Sequence, residues 1–156
     1  MKLKALLELL TNAGVRFCVI GGVALIARGA QRSTEDLDVV YARDRENIAR
    51  LAMTLGPIRP RLRGVPADLP FTLDEASIRA GLNFTLDTDL GPLDLFGEIP
   101  GLGGFDHVAA EADTMRIHDL ELLVLTLDGL ERAKRAAGRP KDLIDLSFIQ
   151  ALKRSL

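Results

Sequence analysis

Three aspartates carry the chemistry that this sequence can offer. Asp36 and Asp38 flank Leu37 at the head of an apolar run, Leu37–Tyr41. In an extended strand, residues i and i+2 face the same side, about 7 Å apart at their Cα atoms. Two carboxylates therefore share one face, while Leu37 and Val39 face the other way, toward a core. Aspartate is disfavoured in strands, and like charges side by side repel. A divalent cation relieves both problems, because Mg²⁺ takes oxygen ligands and bridges carboxylates to phosphates. Asp94 stands in a matching setting, between Leu93 and Leu95. On an adjacent strand it would lie about 4.8 Å away. Three such carboxylates suit two cations roughly 4 Å apart, one activating an attacking oxygen and the other neutralising phosphate charge. Without Asp94, the pair Asp36 and Asp38 reads equally well as solvent-facing residues at a strand end.

Gly21-Gly22 follows the β-branched and aromatic run Val15–Ile20 and opens a helical stretch. Unpaired N–H groups at such a strand-to-helix turn suit a phosphate, and glycine lets the backbone come close to it. Gly-Gly after a strand is also an ordinary turn. The dinucleotide-binding fingerprint is absent, because Ala24 and Ile26 stand where its later glycines would be needed.

The elements that must position these residues follow from periodicity. Leucines 3, 6, 7 and 10 share one helical face over Leu3–Thr11, and Asn12 and Gly14 stop it. Val15–Ile20 and Leu37–Tyr41 read as strands, Val23–Arg28 and Arg45–Leu55 as helices. Gly56–Leu73 holds Pro57, Pro60, Pro66 and Pro70 among Arg59, Arg61 and Arg63. It reads as a loop, either contacting a polyanionic substrate or simply solvated. Leu82–Leu86 and Pro92–Phe96 read as a hairpin joined by Asp87–Gly91. Gly97–Gly104 is expected to be loop, Asp106–Ala112 a short helix and Met115–Ile117 a short edge strand. Leu120–Ala137 and Lys141–Leu152 are expected to be two C-terminal helices, broken at Gly138-Arg139-Pro140. The expected class is α/β (α+β): a small mixed β-sheet flanked by helices, one domain over residues 1–156, its core about 15–118 and a helical segment about 119–156.

The combination resembles the nucleotidyltransferase superfamily of the polymerase-β type. That family places a hydrophobic-Gly-Gly or Gly-Ser turn before an Asp-hydrophobic-Asp strand, with a third acid on a later strand. Here Ile20-Gly21-Gly22 is followed, after thirteen residues, by Asp36-Leu37-Asp38-Val39, a spacing at the long end of that family's range. The resemblance covers about Phe17–Phe96. The segment from Gly29 to Tyr41, with Arg32, Thr34, Asp36 and Asp38, looks like the small bacterial AbiEii-toxin-like nucleotidyltransferases. Lys134, Arg139, Lys141 and Asp142 resemble the helix junction of the same group.

The resemblance implies Mg²⁺-dependent transfer of a nucleotidyl group from a nucleoside triphosphate to a hydroxyl, with pyrophosphate released. Asp36, Asp38 and Asp94 would be the catalytic and metal-binding residues, with two Mg²⁺ ions and Mn²⁺ as a substitute. Gly21 and Gly22 would hold the triphosphate. Lys134 and Arg139 would contact phosphates or the acceptor, with Lys141 a weaker candidate. Arg32 would line the phosphate site or pair with Glu35 or Asp36. The acceptor stays open among tRNA, protein and a small molecule such as an antibiotic, and the group suggests toxin–antitoxin or phage defence with an antitoxin partner. Two other classes stay open: a non-catalytic nucleotide- or partner-binding regulator, and a metal-dependent phosphohydrolase.

Composition fits these expectations. The chain has 156 residues, 47% hydrophobic and 27% charged, with a net charge of −2, so no global basic field draws it to nucleic acid. One cysteine, Cys18, excludes a disulfide framework and reads as a small buried hydrophobe. His107 and His118 have no partner at ligand spacing and read as surface or turn residues. Phe96, Phe105 and Phe148 are core candidates. The N-terminus reads as a helix rather than a signal peptide, and no run is long enough to span a bilayer, so a cytoplasmic location is expected by default.

Overall fold

Alternating apolar residues flanked by turns build the centre of the molecule. A computed structural model describes all residues, Met1–Leu156. Helix α1 (Leu3–Asn12) leads into β1 (Phe17–Ile20), α2 (Gly21–Ala27), β2 (Leu37–Tyr41) and α3 (Arg45–Leu55). After a short 3₁₀ turn come β3 (Arg61–Leu62), α4 (Glu75–Ala80) and the strands β4 (Phe84–Thr88) and β5 (Gly91–Phe96). A small pair, β6 (Glu98–Ile99) and β7 (Gly103–Gly104), precedes α5 (Phe105–Ala110), β8 (Ala112–Ile117) and β9 (Leu120–Leu125). Helices α6 (Leu127–Ala137) and α7 (Pro140–Arg154) close the chain.

Seven strands form one mixed sheet in the order β3-β4-β5-β2-β1-β9-β8. Strands β2 and β5 are parallel neighbours, as are β1 and β9, and the other pairs are antiparallel. The mixed sheet flanked by seven helices is the expected class. Leu37, Val39 and Tyr41 on β2, and Leu93 and Leu95 on β5, are buried, so one face of the sheet is committed to the core. Leu6, Leu7 and Leu10 bury the stripe of α1, and Cys18 is fully buried in β1. His107 and His118 are exposed, and Phe96, Phe105 and Phe148 are half-buried against the core.

The largest departure lies at residues 120–125. The expected helix Leu120–Ala137 is two elements, the strand β9 between β1 and β8, and then α6. A short apolar run reads alike as buried strand or helix, and Leu-Glu-Leu-Leu-Val-Leu is such a run. Thr126 marks the true boundary: its side chain accepts from Gly129 N and caps α6. Smaller departures follow the same logic. The first hairpin strand is Phe84–Thr88 rather than Leu82–Leu86. Residues 56–73, expected to be loop throughout, donate β3 to the sheet edge. Within 97–104, also expected to be loop, β6 and β7 pair. Helix α4 was not expected from periodicity; Asp74 and Ser77 cap it reciprocally. No helix is long and apolar enough to cross a membrane.

Candidate active site

Register delivers the carboxylates to one place. In the parallel pair β2–β5, Asp38 is the Cα partner of Asp94, as Leu37 is of Leu93 and Val39 of Leu95. With the leucines and Val39 buried on one face, both aspartates must lie on the other. Asp36 ends the segment that leads into β2. One carboxylate oxygen from each of Asp36, Asp38 and Asp94 lies within 4.8 Å of the others. The three residues named from sequence are thus brought together.

This cluster is electrostatically unsatisfied. Asp38 Oδ1 and Asp94 Oδ1 are buried and accept no hydrogen bond. Burial, then the neighbouring charges of Asp94 and Asp36, push the Asp38 carboxyl up to about 8. Burial also raises Asp94, against the opposing pull of Arg63. Arg63 Nη2 stands 2.9 Å from Asp94 Oδ1 as an ion pair, too poorly angled to count as a hydrogen bond. Hard oxygen donors, gathered closely and two of them accepting no hydrogen bond, fit a divalent cation.

The strand-to-helix turn is built around the same residues. Helix α2 begins at Gly21 itself rather than at Val23. Gly21 has φ +65°, and a Cβ there would stand 2.3 Å from Asp38 Oδ2. A Cβ on Gly22 would meet Thr34 Oγ1 at 2.8 Å. The two glycines are therefore required by their own chain as well as by any ligand: they let α2 start directly against Asp38 and Thr34. Thr34 in turn places its hydroxyl 3.4 Å from Asp36 Oδ1 and 3.3 Å from the Asp36 carbonyl.

A cavity of about 90 Å³ opens beside Asp38 and Gly21. Lys134 and Arg139 line it, together with the apolar residues Ile99, Leu130 and Ala133. Lys134 is therefore at the site with its side chain 17% exposed, and Arg139 lines it with a side chain 54% exposed. Arg32 is engaged elsewhere than expected. Its guanidinium pairs with Asp145 of α7, not with Glu35 or Asp36, and lies over the Phe148 ring at 5.9 Å. Lys141 is exposed at the start of α7 and does not line the cavity.

Sequence reasoning missed Thr34 as a packing partner of Gly22, Arg63 as the cation beside Asp94, and Asp145 as the partner of Arg32 and Lys134. The register of a two-residue edge strand had no signal that could place Arg63. Asp145, three residues after Asp142, shares its helical face, a spacing legible in the sequence.

No family model matches the chain, and no curated protein does. Solved structures do. A lincosamide antibiotic adenylyltransferase, LnuA, in its lincomycin-bound form, superposes with a TM-score of 0.64 at 15% identity, over 97% of this chain and 96% of that one. ANT(2″)-Ia, in complex with adenylyl-2″-tobramycin, gives 0.55 at 13% identity, over 98% and 93%. An antigenic nucleotidyltransferase-like protein from Paracoccidioides brasiliensis gives 0.53 at 16% identity, over 95% and 72%. At these identities the likeness concerns the fold, and that fold is the nucleotidyltransferase fold.

Proposed function

We propose that this chain transfers a nucleotidyl group from a nucleoside triphosphate to a hydroxyl of a small acceptor. The observation that carries the reading is the meeting of Asp36, Asp38 and Asp94 within 4.8 Å, beside a cavity that Gly21, Lys134 and Arg139 line. The acceptor oxygen forms a bond to the α-phosphorus, the bond from that phosphorus to the β-phosphate oxygen breaks, and pyrophosphate leaves. Asp36, Asp38 and Asp94 would hold Mg²⁺ or Mn²⁺, which would neutralise triphosphate charge and acidify the attacking hydroxyl. Asp94, whose carboxyl burial raises against the opposing pull of Arg63, takes the hydroxyl proton. Lys134 and Arg139 bind phosphate oxygens, and Gly21 and Gly22 let the backbone approach them. Ile99, Leu130 and Ala133 keep water from the apolar end of the cavity.

Two observations favour a small acceptor. The basic proline-rich segment is internally paired: Arg59 and Arg61 face Asp89, and Arg63 faces Asp87 and Asp94. It offers little free positive charge to a polyanion such as tRNA. Two of the structural neighbours are bound to an antibiotic or an adenylylated antibiotic. The toxin-like subgroup, with its antitoxin partner, rests on the motifs around Arg32 and Lys134 alone.

The test is a pyrophosphate-release assay with each nucleoside triphosphate, Mg²⁺ and a panel of hydroxylated antibiotics. Acceptor-dependent pyrophosphate, lost in Asp38→Asn, is expected. Orthophosphate without acceptor would instead indicate a phosphohydrolase. Nucleotide binding by calorimetry without turnover would indicate a non-catalytic binder.

A further inference from the structure

Helix α7 presents two acids to the site, and both are committed to cations. Asp142 is 1% exposed and Asp145 has a side chain 13% exposed. Asp142 Oδ1 pairs with Lys134 Nζ at 3.4 Å and accepts from Arg139 Nη2 at 3.2 Å. Its Oδ2 accepts from Arg139 Nε at 2.9 Å and from the Arg139 backbone N–H at 3.0 Å. Asp145 Oδ2 lies 2.9 Å from Lys134 Nζ, and its Oδ1 receives the guanidinium of Arg32. Three cations from three parts of the chain thus converge on two carboxylates.

A helix cap does not explain this arrangement. Capping the first turn of α7 needs one oxygen accepting from Arg139 N, which an amide would do as well. A buried ion pair is a poor source of stability compared with apolar packing, and burying a carboxylate is costly. What the pairs do supply is orientation. Lys134 and Arg139 are long, rotamer-rich side chains, and a free Lys or Arg gives up rotamer entropy when fixed. Here both are fixed already, and both line the cavity beside Gly21 and Asp38. Lys134 keeps one of its three N–H donors beyond its two carboxylate partners, and Arg139 keeps Nη1. Burial would raise Asp142, yet the hydrogen bonds from Arg139 and the charge of Lys134 hold it down at about 2, so it stays ionised at any working pH.

We propose that Asp142 and Asp145 are positioning residues: they hold Lys134 and Arg139 in the orientation that receives the phosphates of the substrate, and act on it only through them. This rests on the reading that a polyphosphate occupies the cavity. The sign of the effect separates positioning from simple charge. Asp142 and Asp145 are themselves negative, so removing either charge would tighten phosphate binding if only the field mattered. If they position the cations, removal weakens it.

The experiment titrates inorganic tripolyphosphate with Mg²⁺ into wild type, Asp142→Asn, Asp145→Asn, Lys134→Met and the two double variants with Lys134→Met. Thermal melting of the same samples reports folding. Asparagine at 142 keeps an oxygen for the Arg139 N–H, and Asp145 has no capping role, so Asp145→Asn tests the idea even if Asp142→Asn does not fold. Each single asparagine variant is expected to weaken binding about tenfold, as loss of an orienting partner does elsewhere. The Asp145→Asn double is expected to bind no more weakly than Lys134→Met within about twofold, because Asp145 reaches the cavity only through Lys134, whereas the Asp142→Asn double also frees Arg139 and is expected to bind more weakly than Lys134→Met. Unchanged or tighter binding in the single variants, or full additivity in the Asp145→Asn double, overturns the positioning role. Failure of wild type to bind tripolyphosphate overturns the cavity reading on which it stands.

Discussion

Asp38 is held where its charge is least welcome, and that conflict has measurable consequences. Its carboxyl is raised to about 8 by burial and by Asp94 and Asp36. Between the ordinary carboxylate value of about 4 and that raised value, the unfolded chain has released its proton and the folded chain still keeps it. Stability without cation therefore falls as pH rises through that window. Asp38→Asn removes the group, so in EDTA it is expected to melt a few degrees higher than wild type at pH 8, with a smaller gain at pH 5. Scanning calorimetry at the two pH values checks this. The same variant is expected to lose transfer activity by at least on the order of 100-fold, since even outer partners of a metal ligand matter by 10–100-fold. A second expectation concerns the cation itself. Binding must displace the Asp38 proton, so Mn²⁺ affinity is expected to rise with pH up to about 8 and then level off. Calorimetry in two buffers of different ionisation enthalpy would show the released proton at pH 7. An affinity independent of pH would place the cation away from Asp38.

At the scale of elements, the turn between β1 and α2 carries the strictest requirement. Gly21→Ala would force a side chain into a left-handed conformation and against Asp38 Oδ2. A strained residue of this kind costs on the order of 1–3 kcal/mol. The variant is expected to melt lower than wild type and to lose transfer activity, whereas Gly64→Ala, also at positive φ but with nothing within 4 Å, is expected to lose stability alone. A melting curve and an activity assay on both variants separate strain from the contact. The sequence made much of this site legible because its signals are local. Asp-Leu-Asp alternates within one strand, and Leu-Asp-Leu repeats the pattern on the strand that becomes its parallel neighbour. What it hid depends on distant pairing. Leu120–Leu125 is a strand because Cys18 and Val19 and the whole of β8 receive it, and nothing within its own six residues says so. Arg63 reaches Asp94 only because β3 pairs with β4 in a register no local pattern sets.

For the whole molecule, most of the lysines and arginines near the site and along the hairpin are paired with aspartates. The net charge is −2. The segment that looked most suited to nucleic acid, Arg59–Arg63, is neutralised by Asp87, Asp89 and Asp94 on the hairpin beside it. Arg32, which a phosphate backbone would otherwise find, is paired with Asp145. A polyanion gains affinity by releasing counterions from many phosphates at once, and that needs a stripe of unpaired Lys and Arg. A triphosphate needs only a few convergent donors. Bulk tRNA at about 0.15 M salt is therefore expected to bind no more tightly than the weak, non-specific range of about 10⁻⁴ M. Nucleoside triphosphate with Mg²⁺ should bind with a shallow salt dependence, reflecting the two cations Lys134 and Arg139. Fluorescence anisotropy with labelled tRNA, run across salt concentrations beside a nucleotide titration, measures both. Micromolar tRNA binding with a steep salt slope would mean that the arginine segment opens from its aspartates, and would restore a polyanionic acceptor.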